Sequence, residues 1–537
     1  MFPRIVDNDA LHDPDAIVKW LRQPGTYAER PAHVDCVETH ISWVFLTDRF
    51  AYKLKKPVRF DFVDFSTTLL RRVACEDEIR LNRRLAPNVY LDVLPITSDA
   101  GQLNFGGKGS TVDWVVKMRR LPADRSLDGL IRSGNLIEVD VHQIGSLLSE
   151  FYQHVPPLSL RTDDYRHEIE EHVRGNRHEL IDARHGLDQN VIKRTCELQL
   201  RLLQLQPDLL DNRVRDGRIV EGHGDLRPEH IYMASLPIVI DCIEFDTRLR
   251  RLDVLDELSF LWMECAALGA DWVGDQIIGH YLEDSGDEPP TELLYFYKSY
   301  RACVRAKVHA LRAAQLAVHV RQAALADAES YLRLADGYSR QLGPPLLFVV
   351  RGLTGTGKST LAAALAEKLE IDYLQSDAVR RELFGKSPRP ADYDSSIYQP
   401  SHRARVYARM FHRADALLCE GLSVILDGTF LRADMRSQAV ALAAKHGAAP
   451  LIIRCECPDE LAMQRIAART ESVSSASESR PDIFLRQTKE DEPDPPGMPS
   501  LGVNTDQGVP GMVEAVFAKL RQPGIIHAIA PQAGHHT

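Results

Sequence analysis

The sequence predicts two halves of different class, α/β plus α+β. A first half runs from a strand-rich lobe into a helix-rich lobe, and a second half is built on a parallel sheet flanked by helices. Three observations predict this. The chain breaks at Gly343-Pro344-Pro345, between an Ala-, Arg- and Leu-rich helical region at about 291–341 and the apolar segment LLFVVRG. Proline removes a helix donor and clashes with the preceding turn, and glycine permits the reversal. After the break, residues 346–350, 371–375, 422–426, 450–455 and about 500–504 read as strands, each followed by a helical stretch. That alternation is the signature of parallel strands joined by crossover helices. Before the break, strand signals stop near residue 122 and helical periodicity takes over.

In chain order, residues 40–55 read as two strands around Thr47-Asp48-Arg49, residues 66–86 as a helix, and residues 90–120 as further strands ending in VDWVVKMRRLP. From Asp124 the spacing of Leu127, Leu130 and Ile131, then of Ile144, Leu147 and Leu148, predicts helices. Asp253 and Asp256 read as caps of the helix that follows them. Lys298, Arg301, Arg305 and Arg312, at near-helical spacing, read as a solvated basic face. Residues 491–511 read as mostly loop, and the last residues as a frayed tail. The resulting division is 1–343, with a small lobe at about 30–122 and a helical lobe at about 123–343, then 344–524, then a tail at 525–537.

Composition excludes several classes. The 537 residues are 44% hydrophobic and 26% charged, a globular balance rather than a disordered or collagen-like one. Sixty-five Lys and Arg against 76 Asp and Glu leave a net charge of −11, which weighs against a general nucleic-acid binder. The most apolar window, Leu258 to Val273, contains Glu264 and Asp271 and is too short to cross a bilayer. The N-terminus has acids where a signal peptide needs an apolar core. Nine scattered cysteines without a CxxC pair read as reduced, buried thiols of a cytoplasmic protein.

The strongest motif is GLTGTGKS, Gly352 to Ser359, a full GxxxxGK[ST] match between an apolar strand and the apolar-periodic helix LAAALAEKLE. Gly352, Gly355 and Gly357 let the backbone N–H groups turn towards a phosphate, together with those of Thr354 and Thr360 around the helix start. The helix N-terminus adds favourable dipole charge. Lys358 reaches the β- and γ-phosphates of ATP, and Ser359 offers an oxygen to Mg²⁺.

Three later features point to phosphoryl transfer. SVILD ends a strand in Asp427, a carboxylate placed for a metal-bound water or a substrate group. QSDAVRREL, 375–383, sets Asp377 and Arg380 three apart at a helix start, so they project from one side. A carboxylate there can take a proton from an acceptor hydroxyl, and a guanidinium can hold an anionic group. Arg465, Arg469 and Arg480 surround the Ser-rich ESVSSASES, the composition of a mobile lid bringing cations to phosphates. On the S-D-x-x-R and V-I-L-D-x-T-F elements, residues 346–521 resemble the P-loop kinases of small molecules or polynucleotide 5′-hydroxyls. The resemblance implies Asp377 as general base, Arg380 as substrate anchor, and Arg465 or Arg469 as lid arginine.

A second constellation is HGDLRPEHIYM, 223–233, followed by IVIDCIEFD, 238–246. It resembles the aminoglycoside phosphotransferase and choline kinase superfamily, whose loop reads HGDxxxxN, over roughly residues 30–330. The resemblance implies a bilobal protein-kinase-like fold, with Asp225 as catalytic aspartate and His230 and Asp241 at the metal positions. It also implies a phosphate-binding lysine in FAYKLKK, 50–56, and Glu78 as its helix partner. Lys53 and Lys55 share a strand face, with Lys53 preferred. Two departures stand out: His230 replaces the family's Asn, and the first strand pair has no glycine-rich turn. Imidazole nitrogen suits softer metals than Mg²⁺.

The expectation is a bifunctional, ATP- and Mg²⁺-dependent phosphotransferase acting on a small hydroxyl-bearing molecule. One rival is a first half that senses a ligand and regulates the P-loop half. The other is a nucleic-acid 5′-hydroxyl kinase or a switch-like ATPase.

Overall fold

The computed structural model describes residues 13–60, 63–385, 399–471 and 481–522. Contacts divide the chain into two compact units. The first comprises Met1–Thr162 and Asn212–Arg301, the second Asp163–Asp211 and Ala302–Thr537.

The first unit opens on a six-stranded antiparallel sheet. Its order is Asp35–Glu38, Ser42–Leu46, Phe50–Lys55, Ser110–Arg119, Tyr90–Asp99 and Gln102–Phe105. Period-two alternation sorts its side chains. Phe45, Tyr52, Leu54, Ile96 and Val115 pack on the N-terminal helix Pro14–Leu21, which sequence reading did not anticipate. Ala51, Val116 and Met118 face the other way, towards Cys75 and Ile79 of the helix Thr68–Asn82. Lys53 and Lys55 alternate with Tyr52 and Leu54, so parity sends both lysines to this helix side. Thr67 caps that helix by accepting from the Leu70 N–H at 3.2 Å. Helices follow at Leu127–Ser133, Glu138–His154, Val254–Ala267 and Asp271–Ser285. Asp253 does cap its helix, accepting from the Leu255 N–H at 3.0 Å. It also holds Arg213 through both oxygens, at 2.7 and 2.8 Å.

The expected solvated basic face is corrected in part. Arg301 is buried and pairs with both Asp256 oxygens at 2.7 and 2.6 Å, while buried Lys298 lies 3.6 Å from the Trp262 ring centroid. Helical spacing says that residues share a face, and here acids and rings of the same unit cover it. The helical region 291–341 is two helices, Thr291–Gln315 and Val318–Ser339.

The second unit contains a five-stranded parallel sheet ordered Asp372–Gln375, Val424–Asp427, Leu346–Arg351, Ala449–Glu456, Ser500–Asn504. Leu346, Phe348 and Val350 pack on the helices Lys358–Leu369 and Val509–Leu520. Leu347 and Val349 pack on the opposite layer with Val406, Met410 and Ala439. A strand covered on both faces has no polar face, so LLFVV reads as a continuous apolar run.

The helices Gln189–Leu205 and Val318–Ser339 belong to this same unit. Leu205 lies in the core cluster of the parallel sheet. The buried Glu197 carboxylate accepts from the Ser423 N–H at 3.2 Å and from its hydroxyl. Arg201 donates to the Pro344 carbonyl at 2.6 Å, and Arg174 and Arg177 both pair with Glu370. Gly343-Pro344-Pro345 therefore lies inside a compact unit, because burial follows packing rather than chain breaks. Among the described residues no helix is long and apolar enough to cross a membrane.

Candidate functional site

The P-loop leaves the fully buried strand Leu346–Arg351 and enters the helix Lys358–Leu369. Gly352 and Gly355 have φ of +137° and +80°. A Cβ on either would stand 2.6 Å from a backbone oxygen, of Cys455 and Ala462 respectively, so only glycine fits. Lys358 Nζ donates to the Leu353 carbonyl at 2.7 Å, folding back over the loop. The Thr354 N–H is held by Gln487 Oε1 at 2.8 Å. Thr360 is exposed on the first helical turn.

Parallel register places Gln375 beside Asp427. The carboxyl ends of the strands thus gather Asp427, Ser359 and the start of the helix Ser376–Phe384. Asp427 Oδ2 accepts from Ser359 Oγ and from the Tyr373 hydroxyl, both at 2.7 Å, and Gln375 Nε2 donates to Ser359 Oγ at 3.2 Å. Burial pushes the Asp427 carboxyl above its ordinary range, against the opposing pull of Lys358, Ser359 and Tyr373. Burial and the Asp427 charge likewise push the Tyr373 phenol up, keeping it a donor. Asp377 pairs with Arg380 one helical turn on, and Arg380 is buried.

Arg465 was expected on a mobile lid. It is instead anchored, with Nη1 donating to Thr505 Oγ1 at 3.0 Å and Nη2 to the Thr505 carbonyl at 2.8 Å. Thr505 Oγ1 in turn donates to the Thr356 carbonyl at 2.9 Å, tying the arginine to the P-loop. Arg469 stands on the helix Asp459–Glu471, its side chain outside the described residues, as are Arg480 and the Ser-rich stretch.

Sequence reading missed Tyr373, Gln375, Gln487 and Thr505. Tyr373 and Gln375 carry a faint signal, being two apart on the strand that leads to Asp377. Gln487 and Thr505 carry none, since folding brings them from more than 100 residues away.

Tyr373→Phe removes one of the two donors to Asp427 Oδ2. A buried carboxyl whose range is already raised loses its ionised form as pH falls, and loss of a donor moves that point upward. The acidic limb of a pH–rate profile should shift to higher pH. The rate at neutral pH should fall about three- to tenfold, the worth of about 1 kcal/mol. An unshifted limb would assign Tyr373 to packing alone.

In the first unit, the residues expected to act together do converge. Lys53 Nζ lies 2.9 Å from Glu78 Oε1 and 2.7 Å from Asp241 Oδ1. Lys55 Nζ lies 2.7 Å from Glu78 Oε2 and also pairs with Glu244. Both lysines thus share Glu78. Lys55 is fully buried, while Lys53 keeps slight exposure and reaches Asp241. Asp241 has a left-handed φ of +64°, turning the chain after the hairpin Ile231–Met233/Pro237–Val239. Burial disfavours its charge, but Lys53 and His230 outweigh this and hold the carboxyl below the ordinary range. Asp225 Oδ2 pairs with Arg227 Nη2 at 2.9 Å. His230 Nδ1 lies 2.8 Å from the Asp225 carbonyl, and its Nε2 lies 3.2 Å from Arg227 Nη2 and 3.7 Å from Asp241 Oδ2.

The two places assigned to a metal differ. Ser359 and Asp427 present a hydroxyl and a carboxylate in contact, a hard-oxygen pair that fits Mg²⁺. His230 and Asp241 present one nitrogen and one carboxylate, with Lys53 already on the second carboxylate oxygen, and they do not fit Mg²⁺. Among the described residues no three or more of His, Cys, Asp and Glu are gathered as a ready-made ligand set.

Comparison with known proteins bears on both units. Residues 347–491 match the AAA domain family. Uncharacterized protein Rv2004c of Mycobacterium tuberculosis is 34% identical over 452 residues, covering 83% of this chain and 88% of that protein. Uncharacterized protein Mb2027c of Mycobacterium bovis matches equally. Among solved structures, a gluconokinase from Sinorhizobium meliloti is 18% identical, covering 33% of this chain and 91% of its own, with a TM-score of 0.25. The APS kinase of Mycobacterium tuberculosis in complex with AMPPNP and APS is 20% identical, covering 34% of this chain and 99% of its own, with a TM-score of 0.26.

Proposed function

Because this chain belongs to one family with the mycobacterial protein Rv2004c, and carries in its second unit a P-loop of the AAA domain family, we propose that it is a cytoplasmic, ATP-dependent phosphotransferase. Its second unit transfers the γ-phosphoryl group to a hydroxyl of a small molecule. The observation that carries this reading is the gathering of Ser359, Asp427 and the start of the Asp377 helix at one sheet end, beside Lys358 and the phosphate loop.

Lys358 and the loop N–H groups hold the β- and γ-phosphates. Ser359 and Asp427 would hold Mg²⁺, which neutralises phosphate charge when bound. Asp377 takes the acceptor proton as the hydroxyl oxygen bonds to phosphorus and ADP leaves. Arg380, paired with Asp377, orients it and stands as the anchor of the acceptor. Arg465 braces the loop through Thr505, and Arg469 stands one turn further along the same helix.

A second reading concerns the first unit, supported by the chain of charges Asp241, Lys53, Glu78, Lys55 and Glu244. It is an aminoglycoside-phosphotransferase-like domain of kinase-like fold, with Asp225 at the catalytic position, making the protein bifunctional. The functional division at 343/344 belongs to this reading.

One experiment tests both. Full-length Asp377→Asn and Asp225→Asn proteins are compared for ATP turnover against a pooled metabolite extract, with mass detection of products. Loss of a general base is expected to slow transfer about 100-fold or more. A product that disappears only with Asp377→Asn belongs to the second unit. An unchanged product set in Asp377→Asn would remove the assignment of that residue.

A further inference from the structure

The Leu353–Thr354 peptide of the P-loop is gripped at both ends. Its carbonyl accepts from Lys358 Nζ at 2.7 Å and from Thr356 Oγ1 at 2.8 Å, both within the loop. Its N–H donates to Gln487 Oε1 at 2.8 Å, 133 residues away in sequence. Gln487 is 5% exposed and stands on the helix Pro481–Glu490. The same stretch meets the loop at two further places. Phe484 is buried with Ala462 and Ile466, and Leu353 packs against that cluster. Asp491, just past the helix end, accepts from Arg351 Nη2 at 2.5 Å, and Arg351 ends the strand before Gly352. Phe484, Gln487 and Asp491 fall at i, i+3 and i+7, the spacing of one helical stripe.

The loop needs such a hold. Gly352 and Gly355, at φ of +137° and +80°, bracket the peptide, and glycine leaves a backbone free to turn unless something fixes it. If the peptide turns, the Leu353 carbonyl leaves Lys358, and the ammonium group loses the post from which it reaches phosphate. The chemistry of the holding group also fits. A buried N–H requires an acceptor. A carboxylate would accept more strongly, but its charge would repel phosphates in the loop. The glutamine amide accepts without charge.

We propose that Gln487 is a positioning residue for the nucleotide. Through the Thr354 N–H it fixes the Leu353–Thr354 peptide, so that the helix Pro481–Glu490 sets the affinity of the P-loop for a nucleoside triphosphate. Phe484 and Asp491 hold the helix against the loop on either side of that contact. Gln487 acts through the loop rather than on the reacting atoms. The inference rests on reading the second unit as an ATP-dependent phosphotransferase, but its test needs neither an acceptor nor turnover.

The test compares the full native chain with Gln487→Met and Gln487→Glu. Methionine keeps the length and bulk of the side chain and removes the acceptor. Glutamate keeps the acceptor and, at mildly alkaline pH, adds a charge. Hydrogen–deuterium exchange of P-loop peptides is read first, without nucleotide. The Thr354 amide should be protected in the native and Gln487→Glu chains and exchange about tenfold faster or more in Gln487→Met. Titration with fluorescent analogues of ATP and ADP should then find Gln487→Met weakened about tenfold for ATP, with an unchanged thermal melt. Gln487→Glu should lose more affinity for ATP than for ADP, and the difference should shrink at high salt, because repulsion grows with phosphate charge and is screened. A side chain that merely packs would produce neither the lost protection nor the dependence on phosphate number. If Gln487→Met melts at a lower temperature, the salt and phosphate dependence of Gln487→Glu decides alone. Native protection of Thr354 in Gln487→Met overturns the proposal, and so does native affinity for ATP in both variants. A native chain that binds no nucleotide is a different result, which overturns the phosphotransferase reading and with it the effect on affinity.

Discussion

Lys358→Ala is expected to weaken nucleotide binding in the second unit at least about 100-fold, the worth of about 3 kcal/mol of charge-assisted contact to phosphate. The fold should survive the change. Lys358 is half-buried, and the 2.7 Å bond of its ammonium group to the Leu353 carbonyl is a local brace within the loop. Titration with a fluorescent ATP analogue measures this, with a thermal melt as control. A variant that melts like the native chain and still binds nucleotide in the second unit with native affinity would remove the P-loop from the mechanism.

Cutting the chain at Gly343 is expected to cost the second unit its fold. The fragment 344–537 loses Leu205 from its main core and the Glu197 carboxylate from Ser423. It also loses Arg201 from the Pro344 carbonyl, the Arg174 and Arg177 pairs with Glu370, and the Leu205 carbonyl that accepts from Arg521 at 2.8 Å. At about 1–2 kcal/mol each, these contacts rival the roughly 5–15 kcal/mol that holds a whole domain. The fragment should show no cooperative thermal transition above room temperature and no nucleotide binding. A sharp transition at the temperature of the full chain would make the helices dispensable.

The parallel sheet was legible because each layer of evidence agrees there. Buried strands read as apolar runs, the P-loop marks the first strand-to-helix turn, and observed strand bounds lie within about two residues of those expected. The proximity of Asp225, His230 and Asp241 was legible for a different reason, since they lie within 17 residues along one loop and hairpin. Lys53 and Lys55 were indistinguishable because alternation gives them the same face. The fold separates them by depth, Lys55 closing onto Glu78 and Glu244 and Lys53 reaching Asp241. Arg465 was misread because composition shows a cation beside a Ser-rich stretch. It does not show Thr505, 40 residues on, waiting to hold it.

By itself the sequence determined where a phosphate can be cradled, which strands lie inside, and which loop gathers carboxylates. These are local matters of backbone freedom, alternation and short spacing. Only the tertiary structure decided that the helices of residues 163–211 and 302–343 complete the second unit, that the basic stripe at 298–301 is buried, that Tyr373 holds Asp427, and that Thr505 braces the P-loop. The reason is physical. An apolar stripe or a charged side chain declares that it needs a partner, but the partner is set by which surfaces meet when the whole chain is packed.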